Sequence, residues 1–88
     1  MRILQFTPES RLRISKVRRE MALVGADALL IADNTNIYYL CGAVFRGYVY
    51  VPVQGRCLMF VIRPVDLQGD DVIYVRKPEQ IPAELERL

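Results

Sequence analysis

Apolar positions along the chain switch repeatedly between helical and strand-like spacing. Ile14, Val17, Met21 and Val24 recur at steps of three, four and three, the spacing of one face of an α-helix. Leu12 extends that face less regularly. Thr7-Pro8-Glu9 opens the segment with a capping hydroxyl, a proline suited to the first helical position and a carboxylate at the positive end of the helix dipole. Gly25 closes it in the left-handed conformation that ends many helices. The pattern predicts an amphipathic helix over residues 8–24 with its arginines facing outward.

Ala28–Ala32 follows as a short apolar run between breakers. It is too short for a helix and suits a strand buried on both faces. Asp33-Asn34-Thr35 is a polar turn, in which Asn34 or Thr35 caps a short helix holding Ile37, Tyr38 and Leu40. Gly42 ends it. Tyr48–Val53 and Arg56–Arg63 then read as an antiparallel hairpin joined by a two-residue Gln54-Gly55 turn. Pro52 belongs near a strand end or on an unpaired side. Pro64 stops the second strand, Val65–Gly69 connects, and Asp71–Arg76 forms a further strand ended by Lys77-Pro78. Ile81–Leu88 begins a helix well and stops without a cap. Alternating helices and strands predict an α/β layer arrangement.

The 88 residues amount to one domain or part of one. A chain of this size buries only about 60–65% of its unfolded surface, so its stability margin is thin. At 52% apolar the composition is that of a folded core. No apolar run approaches the roughly 18–20 residues of a membrane span, and the start is too broken for a secretory signal. The expectation is therefore a cytoplasmic protein without membrane contact. Cys41 and Cys57 have neither metal-ligand nor Cys-x-x-Cys spacing and read as buried small hydrophobes, with a disulfide between them the alternative.

Residues 1–24 carry six basic residues against Glu9 and Glu20. Such an excess can serve nucleic acid or an acidic partner. No recognition motif accompanies it, and the solvated face of an amphipathic helix explains it more simply.

Hydrolytic chemistry needs convergent groups, and the chain contains no histidine. Its carboxylates are scattered: Asp27 and Asp33 flank the first apolar run, Asp70 and Asp71 precede the last strand, and Glu84 and Glu86 lie in the terminal helix. Adjacent Asp70 and Asp71 on an extended chain point to opposite faces and do not share an ion. No catalytic residue and no metal ligand is assigned. The remaining candidate is Phe45-Arg46-Gly47-Tyr48. An arginine beside two aromatics in a glycine-bounded loop can clamp a carboxylate and stack on a ligand. The simpler alternative is an exposed arginine beside core aromatics.

The order helix, Gly25-Ala26-Asp27-Ala28-Leu29-Leu30-Ile31, polar turn, Asn36-Ile37-Tyr38-Tyr39-Leu40-Cys41-Gly42 resembles the amino-terminal domain of the creatinase, prolidase and Xaa-Pro aminopeptidase family. That family runs as an arginine-rich helix, G-x-D-A-L-L-(I/V), a few polar residues and N-(I/V)-x-Y-L-(T/S/C)-G. The resemblance covers about residues 8–80. It implies a ribonuclease H-like α/β architecture, a mixed sheet with flanking helices. It also implies that residues 1–88 are one such domain, incomplete at its C-terminus and lacking the catalytic domain. In the family that second domain holds two divalent metal ions (Mn, Co or Zn), so no cofactor is expected in this chain.

The resemblance further implies a homodimer of a Xaa-Pro dipeptidase or aminopeptidase acting on proline-containing peptides. The amino-terminal domain would contact its own catalytic domain and a second copy of the chain, and wall the partner's substrate cleft. Phe45 and Arg46, with Tyr48, occupy the place from which the creatinase loop reaches the partner's substrate. Here the first two are adjacent and Gly47 follows. The rival readings are a free-standing interaction module of the same fold and, more weakly, a nucleic-acid-binding domain using the basic first helix.

Overall fold

The computed structural model describes residues 2–88. The elements are β1 (Arg2–Ile3), α1 (Pro8–Val24), β2 (Ala28–Ile31), α2 (Asn34–Cys41), β3 (Arg46–Pro52), β4 (Leu58–Arg63), β5 (Leu67–Gln68), β6 (Val72–Tyr74) and α3 (Ile81–Glu86). A 3₁₀ turn, Pro78–Gln80, leads into α3. The architecture is α/β, built on a mixed four-stranded sheet in the order β2-β3-β4-β6. Its first two pairings are antiparallel and the β4–β6 pairing is parallel.

Period-2 alternation divides the apolar residues between the two faces of this sheet. Val49 and Val51 of β3 and Met59 and Val61 of β4 join Ile14 and Met21 of α1 and Ile37 and Leu40 of α2 in one core. Leu58 and Phe60 of β4 point the other way and pack with Val75 and Ile81. Tyr48 and Tyr50 of β3 share that second face, where Tyr50 meets Phe60 edge-on at 6.5 Å between ring centroids.

Helix α1 forms over the expected span. Thr7 caps it by accepting from the Ser10 backbone N–H, and Gly25 ends it at φ 74°. Its inward line is Ser10, Ile14, Val17 and Met21. Val24 is 80% exposed instead of continuing that line, because the chain turns at Gly25 and Ala26 takes the next inward position.

Several further expectations differ from the structure. The run at residues 28–31 is not buried on both faces: it is an edge strand, with Leu30 52% exposed. β3 flanks it on one side only, and none of the three helices buries its Leu30 face. Helix α2 is capped by Asp33, not Asn34 or Thr35. The hairpin has no two-residue turn. The last β3–β4 pair is Tyr50 with Leu58, and Val51 and Pro52 instead pair with Leu29 and Ala28 of β2. The 65–69 connector contains β5, which pairs in parallel with β1, bringing Arg2 opposite Leu67.

The arginines of α1 also do not all face solvent. Arg13 donates to the Tyr39 carbonyl of α2 at 2.7 Å, pairs with Glu9 at 2.6 Å, and lies 4.7 Å from the Tyr39 ring centre. Arg18 donates to the carbonyls of Pro52 and Gly55 and to the Cys57 sulfur. Two cations of the basic helix are thus bound into the fold.

Candidate functional site

The candidate residues gather where β3 starts and β4 ends. Asp33 holds the start of α2, its Oδ2 accepting from the Asn36 backbone N–H at 3.0 Å. Hydrogen bonds from the Asn36 side chain and backbone hold the Asp33 carboxyl below the ordinary aspartate range. Gly42 ends α2 at φ 72°, and four residues later, at Arg46, the chain enters β3. The expected loop residue Arg46 is therefore the first residue of a strand.

Alternation along β3 then separates the three candidates. Phe45 is 3% exposed and belongs to the core on the helix side of the sheet. Arg46 is exposed and Tyr48 half-buried. Tyr48 packs against the core on the opposite face. All three border a surface hollow of about 710 Å³. Phe45 does so from within the core, so Arg46 and Tyr48 are the accessible members.

Gly47 sits between them because no side chain fits. A Cβ there would lie 2.0 Å from the Phe60 carbonyl oxygen. The close approach coincides with an irregular register: Arg46 pairs with Arg63, but Gly47 pairs with Val61. Ile62 is thus an extra residue on β4, a β-bulge. Sequence reasoning missed Arg63, whose place beside Arg46 depends on that slip. Arg63, Ile62, Pro64, Asn34 and Pro78 complete most of the hollow's rim.

Elsewhere the side chains serve the fold. Asp71 accepts from Arg56 at 2.6 Å, and Asp66 accepts from Arg2 at 3.0 Å. The Arg2 hydrogen bond holds the Asp66 carboxyl below its ordinary range. Cys41 and Cys57 are buried and unbridged. Burial pushes the Cys41 thiol up to about 12 and raises Cys57 as well, so both are protonated at neutral pH and neither is a poised nucleophile. Among the described residues no group of three His, Cys, Asp or Glu side chains converges as a metal ion requires. No helix among them is long and apolar enough to cross a membrane.

Fold and site together define an α/β domain with a cationic, aromatic-edged hollow at one end of its sheet. The chain belongs to the Creatinase/Prolidase N-terminal domain family, whose sequence model matches residues 13–87. That span takes in α1 from its second turn, the whole four-stranded sheet, the hollow and α3. No curated protein and no solved structure gives a significant match.

Proposed function

We propose that this chain is the non-catalytic amino-terminal domain of a metal-dependent Xaa-Pro dipeptidase or aminopeptidase. In this reading it contributes dimer contacts and one wall of the partner subunit's substrate cleft. The observation that carries the reading is the family match over residues 13–87. The placement of Arg46 and Tyr48 supports the cleft-wall role, since both border an open hollow and neither is committed to the interior. Phe45 is buried and acts by bracing the start of β3.

The peptide bond before proline would be hydrolysed on a separate catalytic domain holding two divalent metal ions (Mn, Co or Zn). The amino-terminal domain binds and orients the peptide from the side. A cytoplasmic location fits that role. Dimer contacts have a ready surface in β2, whose outer edge is unpaired and whose Leu29 and Leu30 are 37% and 52% exposed.

The test is to incubate the purified chain with Xaa-Pro dipeptides and manganese and to measure free proline. The expected result is no release above the metal blank. Release that a chelator abolishes would refute the non-catalytic assignment. Sedimentation of the same sample checks for a second copy.

A further inference from the structure

We propose that Arg11, Arg18 and Arg56 form a binding site for the phosphate group of a small phosphate monoester. The site lies between α1 and the loop that joins β3 to β4. It shares no residue with the hollow at Arg46, so it stands apart from the cleft-wall reading.

Helix spacing places the first two cations. Arg11, Ser15 and Arg18 stand at i, i+4 and i+7 on one face of α1. Ser15 is short, and its hydroxyl turns back to donate to the Arg11 carbonyl at 2.9 Å. No long side chain therefore stands between the two guanidiniums on that face. Arg56 arrives from the loop opposite, beside Gly55 and Cys57, and these residues line a hollow of about 350 Å³. Phe6 and Ile14, both buried, line it from within the core.

The fold leaves donors unspent on all three arginines. A guanidinium carries five N–H donors. Arg18 uses Nε on the Pro52 carbonyl and Nη2 on the Gly55 carbonyl and the Cys57 sulfur, and leaves Nη1 unused. No buried side-chain nitrogen among the described residues lacks a partner, so that Nη1 reaches solvent, and the hollow that Arg18 lines is its outlet. Arg56 donates through Nε to Asp71 at 2.6 Å and through Nη2 to the Asp70 carbonyl, and also keeps Nη1. The Arg11 guanidinium pairs with no carboxylate among the described residues, whereas Arg2, Arg13, Arg56 and Arg87 each do.

Three guanidiniums thus share the hollow with a single carboxylate, Asp71, which leaves an excess of two positive charges. Arg11, Arg18 and Asp71 all act electrostatically on the Cys57 thiol, so they converge on one point. Like charges at close quarters repel, and a bound dianion offsets that repulsion.

Charge and geometry decide which dianion. A phosphate monoester carries roughly −1.5 to −2 at neutral pH and three acceptor oxygens. Guanidiniums reaching in from a helix and from a loop meet tetrahedrally disposed oxygens from different sides. A carboxylate is planar, and one fork saturates it. The volume is at the small end of ligand sites, which suits a phosphate on a short substituent.

The experiment is an NMR titration of the 88-residue chain at about pH 8, where the monoester is a dianion, and at fixed ionic strength. The probes are methyl phosphate, malonate as a planar-carboxylate dianion, and dimethyl phosphate as a tetrahedral monoanion. Methyl phosphate is expected to give saturable shifts at the Ser15, Gly55 and Cys57 amides and at the Nε–H signals of Arg11, Arg18 and Arg56. It should bind more than threefold more tightly than either other probe. Arg11→Gln and Arg56→Gln should each weaken it more than threefold. Both positions are exposed, so amide dispersion should survive. Arg19→Gln removes a nearby exposed charge that does not line the hollow, and should change affinity less than twofold. Shifts that never saturate overturn the proposal, as does malonate or dimethyl phosphate binding within threefold of methyl phosphate. So does a loss of threefold or less in Arg11→Gln or Arg56→Gln, or a loss of twofold or more in Arg19→Gln.

Discussion

Arg18 of α1 holds Cys57 in place at the far end of the β3–β4 loop. Its Nη2 donates to the Cys57 sulfur at 3.3 Å and to the Gly55 carbonyl, while its Nε donates to the Pro52 carbonyl at 2.9 Å. The loop from Val53 to Cys57 lacks a tight turn of its own, so a helix side chain satisfies its carbonyls. Arg18→Met keeps much of the apolar stem and removes every donor. It should cost about 2 kcal/mol, the scale of charge-assisted bonds lost at a half-buried site. The check is the urea midpoint, with amide exchange accelerated first at residues 53–57.

Gly47 is the position least able to change. A Cβ would overlap the Phe60 carbonyl oxygen at 2.0 Å, and backbone cannot move aside as a flexible side chain can. Gly47→Ala should destabilise the chain by about 3 kcal/mol or more, the upper range for overpacking at a fixed contact. Given the thin margin of a small domain, the expected readout is loss of the cooperative thermal transition. An unchanged melting curve would show that the bulge is not held at this register.

The two thiols make stability fall in alkali. Each is raised by burial, Cys41 to about 12, so the folded chain keeps protons that the unfolded chain gives up. Their contribution is whole below the ordinary thiol value and is lost as pH rises from about 9 towards 12. Unfolding free energy measured across that window should decline, and the decline should lessen in Cys41→Ala. At pH 8 neither thiol should react with a thiol-specific reagent until urea is added.

Acid acts through Asp33 and Asp66. Both carboxyls are held low by hydrogen bonds, from Asn36 and Arg2 respectively. A lowered folded value means that their contribution is present above the ordinary aspartate value of about 3.9 and lost as pH falls through the folded value. Carboxyl ¹³C titration should place both midpoints below that of a model peptide. Asn36→Ala should move the Asp33 midpoint up and leave Asp66 where it was.

Much of the element order was legible because its signals are local. Thr7-Pro8, Gly25 and Gly42 mark helix ends through backbone chemistry that acts within a few residues. The cap of α2, Asp33, lies one or two positions before the expected Asn34 or Thr35, since all three are competent caps. The edge position of β2 was not legible. A four-residue apolar run looks the same in the middle of a sheet and at its rim, and Leu30 is exposed only because no element covers its face. The β1–β5 ribbon joins residues 2 and 67, a pairing with no local signature. At the site, Phe45-Arg46-Gly47-Tyr48 could be singled out by composition. Which of them faces solvent depended on where β3 begins, and Arg63 depended on a single extra residue in β4.

Arg46 is proposed to serve a cleft on another subunit. A mixed dimer of the proposed two-domain protein tests that role most directly. One subunit carries Arg46→Ala and an intact metal site; the other carries native Arg46 and a disabled metal site. If Arg46 acts across the interface, the only working metal site faces native Arg46, and this dimer hydrolyses Xaa-Pro peptides at half the wild-type rate with unchanged KM. The opposite arrangement, with both changes in one subunit, then shows a raised KM. A raised KM in the first dimer and a normal one in the second would contradict the account.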